Sequence, residues 1–201
     1  MRRVVLSAVA VAALVYPVLA QTPASHGGAN TWTVDTAHSS AGFSVKHMMV
    51  STVRGTLGPV KGTIDYDGKS RESIRADITI DVTGIDTGNE TRDKDLRSSN
   101  FFDVAKFPTA TFKSRRVEGS GQGPLKLIGD LTLHGVTKEV TLNVDSPSPP
   151  IRTQQGQKIG GSATTTLNRR DFGLQYNALI EAGPVVGDEI QVTIDVEANK
   201  K

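Results

Sequence analysis

The chain has 201 residues, 23 Lys+Arg against 21 Asp+Glu, no cysteine, and only 5% aromatic residues. The lack of cysteine excludes disulfides, thiolate metal sites and a cysteine nucleophile. Basic residues alternate with acidic ones, as in Arg92-Asp93-Lys94-Asp95, instead of forming a basic stripe interleaved with aromatics, which argues against nucleic-acid partners.

Residues 1–20 read as an export signal. Arg2 and Arg3 give a charged start, Val4 to Val18 form an apolar run, and Val18-Leu19-Ala20 supplies small residues for cleavage before Gln21. The run is about 15 residues, short of the ~18 needed to span a membrane as a helix, so no membrane span is expected after cleavage. Without Arg2 and Arg3 the basic residues fall from 23 to 21, equal to the 21 acidic ones, so the mature chain is formally neutral.

Gln21 to Thr31 is rich in small and breaker residues and reads as a flexible leader. One domain is expected over residues 32–199, because about 180 residues suit a single all-β unit. Alternation then dominates. Ile74, Ala76, Ile78, Ile80 and Val82 share one face while Arg75, Asp77, Thr79 and Asp81 share the other. Asn89 to Ser98 is too polar for a strand and suits a short exposed helix begun by an Asn cap, with little core of its own.

The alternation resumes with Leu125, Leu127, Gly129, Leu131 and Leu133, then with Val136, Val140, Leu142 and Val144, and finally with Ile190, Val192, Ile194 and Val196. Turn signals separate these runs at Tyr66-Asp67-Gly68-Lys69, Glu118 to Gly123, His134-Gly135, Pro147 to Pro150, Gly183-Pro184 and Gly187-Asp188. Roughly eight one-sided strands follow. They can hide their apolar faces by stacking as a sandwich or by closing as a barrel, and the pattern leaves both open.

Several segments carry more specific information. Asp35, His38, Ser39, Phe43 and His47, in Trp32-Thr-Val-Asp-Thr-Ala-His-Ser-Ser-Ala-Gly-Phe-Ser-Val-Lys-His47, resemble the opening of the YceI-like family. The segments Arg92 to Arg97, Phe101 to Phe112, Gly129 to Lys138, Asn168 to Leu174 and Gly187 to Ile190 resemble further elements of that family in the same order. The resemblance runs from Trp32 to Ala198. It implies an all-β fold, an eight-stranded antiparallel lipocalin-like barrel, in a non-enzymatic periplasmic carrier. Its implied partner is a polyisoprenoid or other long-chain amphiphile, such as a polyprenyl phosphate or a quinone, held in an apolar tunnel. It also implies frequent homodimers and no cofactor.

Inside such a barrel, residue size decides between packed core and ligand space. The inward residues include small and medium ones such as Val45, Ala76, Gly129, Ala163 and Val192. The stretch Val45 to Val50, with the adaptable Met48 and Met49, is the predicted tunnel wall. Phe43, His47, Phe101, Phe102, Phe107, Phe112 and Phe172 are the other predicted ligand contacts, each with plain core packing as its alternative. Arg54, Arg92 and Arg170 are head-group candidates, since guanidinium forks match phosphate oxygens. Solvated, self-paired surface is the competing reading for them.

Two rival chemistries are visible. Asp35, His38 and Ser39 hold the parts of a nucleophilic relay, but no strand-turn-helix elbow surrounds Ser39, and Asx- and Ser-type turn bonds explain them more simply. His38, His47 and His134 could in principle gather around a metal, but their spacing matches no metal signature and His38 and His134 sit in turns where hydrogen bonding is the default, so no metal is expected. A ligand-free structural or adhesive β-sandwich would show the same alternation.

Overall fold

The computed structural model describes residues 28–120, 123–145, 147–176, 179–180 and 183–200. The expected signal, residues 1–20, and most of the expected leader lie outside the described residues.

In chain order the strands are β1 (Thr31–Val34), β2 (Ser40–His47), β3 (Ser51–Thr56), β4 (Val60–Asp65), β5 (Arg75–Asp81), β6 (Thr109–Glu118) and β7 (Leu125–Leu133). They continue as β8 (Val136–Val144), β9 (Ile151–Thr153), β10 (Gly156–Asn168), β11 (Leu179–Ile180), β12 (Gly183–Pro184) and β13 (Val186–Lys200). One helix, α1 (Glu90–Arg97), lies between β5 and β6.

Eight antiparallel walls close into a barrel. Both β1 and β2 pair with β13, so together they form one wall with a break at residues 35–39. In the same way β3 and β4 form the next wall, pairing with β2 and β1 respectively. β5, β6, β7, β8, β10 and β13 supply the other six, with β9 flanking β10 and β11 pairing with β12. Closure rests on β10 and β13, which run in register for twelve residues from Gln157–Lys200 to Asn168–Glu189. Of the two forms left open by alternation, the chain takes the barrel.

The alternating runs behave as a half-wet sheet requires. Ile74, Ala76, Ile78 and Ile80 face inward, as do Leu127, Leu131 and Leu133, then Val140, Leu142 and Val144, and Ile190 through Val196 at every second position. His134 and Gly135, both at positive φ, make a two-residue hairpin turn that sets Leu133 opposite Val136. Gly187-Asp188 departs from the sequence expectation of a turn: the pair lies inside β13, where the register with β2 shifts between Val186 and Ile190.

One end of the barrel is plugged. Trp32 is fully buried among Tyr66, Ile74, Leu125, Ile159 and Ala198. Its indole Nε1 donates to the Tyr66 carbonyl at 2.8 Å, and the Lys200 ammonium lies 4.6 Å from the ring centroid. Burial of a large ring with its single donor satisfied makes this a firm base. The opposite end carries the β2–β3 and β7–β8 turns, α1 and the segment after β10.

The helix is more committed to the fold than its polarity suggests. The Asn89 side chain caps it, accepting from the Arg92 amide at 3.0 Å, with Glu90 and Asp93 in the first turn and Lys94 and Arg97 in the last. Asp93 is buried and accepts from the Thr87 amide at 2.9 Å, while Arg97 donates to the Ile85 carbonyl at 2.8 Å. The expectation of little core is corrected at Leu96, which turns into the barrel mouth.

The seam between β8 and β10 is short, with register only at Val144–Ala163 and Asn143–Thr164. The Asp145 amide extends it by one bond to the Ser162 carbonyl. By the two-residue parity of a strand, the amides of Thr141, Thr166 and Asn168 face this seam beyond the last pair. In native-state hydrogen exchange they are expected to exchange well before the amides of β10 that face β13; equal protection along both sides of β10 would contradict this. Replacement of Trp32 by Ala is expected to cost about 3–5 kcal/mol in denaturant unfolding, and by Phe much less.

Candidate functional site

The inward side chains of all eight walls surround a cavity of about 230 Å³. Its wall is almost entirely hydrocarbon, with Ala76, Ala110 and Ala163 leaving space that larger residues would fill. Trp32 and its neighbours close the base. Leu96, Phe101, Phe102, Phe172, Leu174 and Val186 surround the mouth. A cavity lined this way stays dry, because a water inside would lack the two to four polar partners it needs. The volume lies below the ~300–1,000 Å³ of drug-sized pockets, which suits a slim chain over a bulky ring system.

Six of the residues predicted to touch ligand line this cavity: Phe43, Val45, Phe101, Phe102, Phe112 and Phe172. Phe112 occupies the room that a side chain at Gly129 would need, since a Cβ there would fall 2.8 Å from its Cζ. Phe101 also packs against Tyr176, with ring centroids 4.9 Å apart.

Four predicted residues lie elsewhere. His47 keeps the inward parity of Phe43 and Val45 but sits at the very end of β2, outside the cavity. Met48 and Met49 are not tunnel wall; they form the tip of the β2–β3 hairpin, with φ of 51° and 57°, and are 37% and 59% exposed. The period-2 reading failed there because the strand ends at His47. Left-handed backbone costs a residue with a Cβ roughly 1–2 kcal/mol, so two methionines in a row are an unfavourable turn choice. Phe107 packs edge-on against the His134 ring, centroids 4.7 Å apart, and covers Gly135 on the outside of the β7–β8 turn.

The head-group candidates are also displaced. Arg54 is on the outward face of β3, paired with Ser44. Arg92 donates through Nε to the Thr87 hydroxyl at 2.7 Å and through Nη2 to the Thr87 carbonyl at 3.0 Å, so it ties α1 to the preceding loop. Arg170 forms an ion pair with Asp188 at 2.8 Å. None of the three lines the cavity.

The cation that does reach the cavity wall is Arg169, buried at 3% exposure. Its donors go to the carbonyls of Gly187 (3.0 Å), Leu174 (2.5 Å), Tyr176 (2.8 Å) and Val186 (3.5 Å), and to Asp188 Oδ1 (2.9 Å). Burial pulls its pKa below the ordinary guanidinium value, and the Asp188 carboxylate opposes that. All five N–H groups are thereby engaged, and the residue acts as a clamp that gathers the chain after β10 onto the start of β13. Asp145, the acidic residue at the wall, accepts from the Ser162 hydroxyl at 3.3 Å.

Leu57, Ile64, Tyr66, Leu96 and Leu174 line the cavity without having been predicted. For Ile64 and Tyr66 a signal existed. Val60, Gly62, Ile64 and Tyr66 alternate, but Gly62 hides the pattern; a Cβ on it would lie 2.1 Å from the Asp77 carbonyl oxygen.

The Asp35, His38 and Ser39 group occupies the break between β1 and β2. Asp35 accepts from the Ala37 amide at 3.1 Å and from Asn199 Nδ2 at 3.1 Å, and His38 Nδ1 lies 3.1 Å away. The Ser39 hydroxyl donates to the Glu197 carbonyl and accepts from the Glu197 amide. Together they clasp the broken wall to β13. Asp35, His38 and Glu197 also bring three ligand-type atoms within 4.8 Å, but the Lys158 ammonium is paired with both carboxylates. His134 is apart from this group, its Nδ1 3.3 Å from the Phe172 carbonyl.

With this geometry in view, comparison with known proteins is decisive for kinship. Residues 32–198 match the YceI-like domain. The chain belongs to the YceI-like family. A UPF0312 protein of Vibrio vulnificus is 34% identical to this YceI-like chain over 174 residues, covering 85% of it and 87% of the relative. The crystal structure of the Campylobacter jejuni YceI protein superposes with a TM-score of 0.66 at 32% identity, covering 78% of this chain and 90% of that one. A polyisoprenoid binding domain from Saccharophagus degradans, implicated in plant cell wall breakdown, has the same fold, with a TM-score of 0.63 at 16% identity, covering 85% and 98%. Among the described residues no helix is long and apolar enough to cross a membrane.

The clasp of this YceI-like barrel gives a pH dependence. The hydrogen bond from Asn199, with His38 next, lowers the Asp35 pKa from 3.8 to about 2. A depressed carboxylate contributes stability that is present above its unfolded pKa and lost as pH falls through the folded one. Urea unfolding of the wild type is therefore expected to weaken between about pH 4 and pH 2 more than that of Asp35→Asn; parallel pH profiles would dismiss the clasp.

Proposed function

We propose that this protein is a non-enzymatic carrier that takes one isoprenoid, or a similar long-chain amphiphilic lipid, into the barrel and shields it from water. The observation that carries this reading is the hydrocarbon-lined cavity of about 230 Å³, open at the mouth, inside a closed barrel. Removing apolar ligand surface from water contributes roughly 25 cal/mol per Å², and no covalent step is needed for that gain. The polyisoprenoid-binding character of the Saccharophagus degradans domain points the same way. The apolar run at Val4 to Val18 after Arg2 and Arg3 supports export through a cleaved signal, with the periplasm as the place of action.

The wall chemistry bears on the head group. Arg169 and Asp145 are the charged residues at the wall, and both are engaged within the protein. An unpaired phosphate drawn deep inside would be left without a cation, at a cost of several kcal/mol. The polar end of the lipid therefore stays at the mouth while the tail fills the cavity. A quinone fits this arrangement readily, and a polyprenyl phosphate fits it with the phosphate in water.

The test is mass spectrometry of an organic extract of the purified mature protein, beside an unrelated periplasmic protein treated identically. A stoichiometric isoprenoid is the expected result. A clean extract, repeated after incubation with quinone and with polyprenyl phosphate, would overturn the carrier reading. Ala163→Phe places a ring in the free volume and is expected to lower lipid occupancy severalfold with the unfolding midpoint little changed, since the added side chain fills space and does not displace packed neighbours. Full occupancy in that variant would exclude the cavity as the site.

A further inference from the structure

Five large apolar side chains are conspicuously exposed among the described residues: Met48 (37%), Met49 (59%), Val50 (84%), Ile151 (57%) and Tyr176 (43%). Four of the five are at the mouth end. Met48, Met49 and Val50 cap the β2–β3 hairpin, and the Met48 amide is bonded to the Val185 carbonyl at 2.8 Å, next to cavity-lining Val186. Tyr176 packs in a tilted arrangement against cavity-lining Phe101. The hairpin tip and Tyr176 thus both adjoin residues of the cavity rim.

The tip itself is built for exposure. A two-residue turn at positive φ is the natural place for Asn-Gly, whereas here two methionines hold it and Val50 follows, the most exposed of the five. Lys46 and Arg54 are exposed on the outward faces of the same two strands. A narrow apolar wedge with cations behind it and an aromatic residue with a polar tip on the same rim is the combination that suits a phospholipid surface, where small apolar groups enter the acyl boundary and cations meet phosphates. A protein partner would require a broader patch than three residues at a hairpin tip.

We infer that the mouth end docks on a phospholipid bilayer, with Met48, Met49 and Val50 entering its interface and the cavity opening toward it. The inference goes beyond the carrier reading, and its test is independent of what the cavity holds. With no cysteine in the chain, Val50→Cys takes a single environment-sensitive nitrobenzoxadiazole label, and Lys126→Cys, at the plugged end, serves as control. Vesicles of phosphatidylethanolamine and phosphatidylglycerol are expected to blue-shift and brighten the label at position 50 and to leave that at 126 unchanged.

The second arm is the variant Met48→Asn, Met49→Gly, Val50→Ser. Its turn residues suit the positive φ values better than the natural ones, so folding is retained and a binding loss is attributable to the tip. Its partition onto the same vesicles, read by co-sedimentation, is expected to weaken on the order of tenfold or more. No shift at position 50, equal shifts at both positions, or unchanged co-sedimentation of the variant would overturn the proposal. So would a blue shift that appears without vesicles and grows with protein concentration, which would assign the tip to contact between copies of the chain.

Discussion

Closure of the sheet by β13 is the constraint on which everything else depends. This strand is bonded to β10 along twelve residues on one side and to β2 and β1 in succession on the other. With the sheet closed, half of every strand's side chains have no choice but to face the same interior. An open sandwich of the same strands would have brought two apolar faces together at about 10 Å and left no room between them. The cavity is thus a product of topology first and of residue choice second.

Residue choice then decides how the interior is divided. At the base, Trp32, Tyr66 and Leu125 are large enough to fill the cross-section, and the indole donor finds the Tyr66 carbonyl. Above the plug, small inward residues such as Ala110 and Ala163 line the cavity, and the interior stays partly empty. The mouth is finished by elements outside the barrel. Arg92, Asp93 and Arg97 fasten α1 to residues 85–87, which carries Leu96 over the opening, and Arg169 gathers the backbone after β10 against the start of β13. Charges that resemble a head-group site in sequence are therefore the fasteners of an apolar mouth.

The distinction explains which parts were legible in the sequence. Strand faces were, because period-2 alternation and burial have the same cause; Ile74 to Ile80 and Ile190 to Val196 are read correctly residue by residue. Phe43, Val45, Phe101, Phe102, Phe112 and Phe172 were found for the same reason or through the family resemblance. Met48 and Met49 were misplaced because an apolar residue in a turn looks like one in a strand until the strand's end is known. For Arg92 and Arg170 the self-paired reading is the one the structure shows, and the head-group reading arose because sequence gives a guanidinium's presence and not the carbonyls or carboxylates around it. Asp35, by contrast, was correctly assigned to a turn bond, since its short side chain accepts from the nearby Ala37 amide, whereas Ser39 bonds the backbone of distant Glu197 on β13, a partner that turn chemistry does not reveal.

The short seam between β8 and β10 gives the barrel a property that neither its topology nor its lining supplies. Between β10 and β13, by contrast, widening the wall would break a ladder of twelve registered pairs. At the β8–β10 seam only two registered pairs hold the walls together, with Val140, Leu142, Thr165 and Leu167 lining the interior beside them. The circumference has its weakest backbone bonding to β10 along this line. In the proposed carrier, such a line would let guests of different girth enter without repacking of the base, and discrimination would then fall to whatever surrounds the polar end.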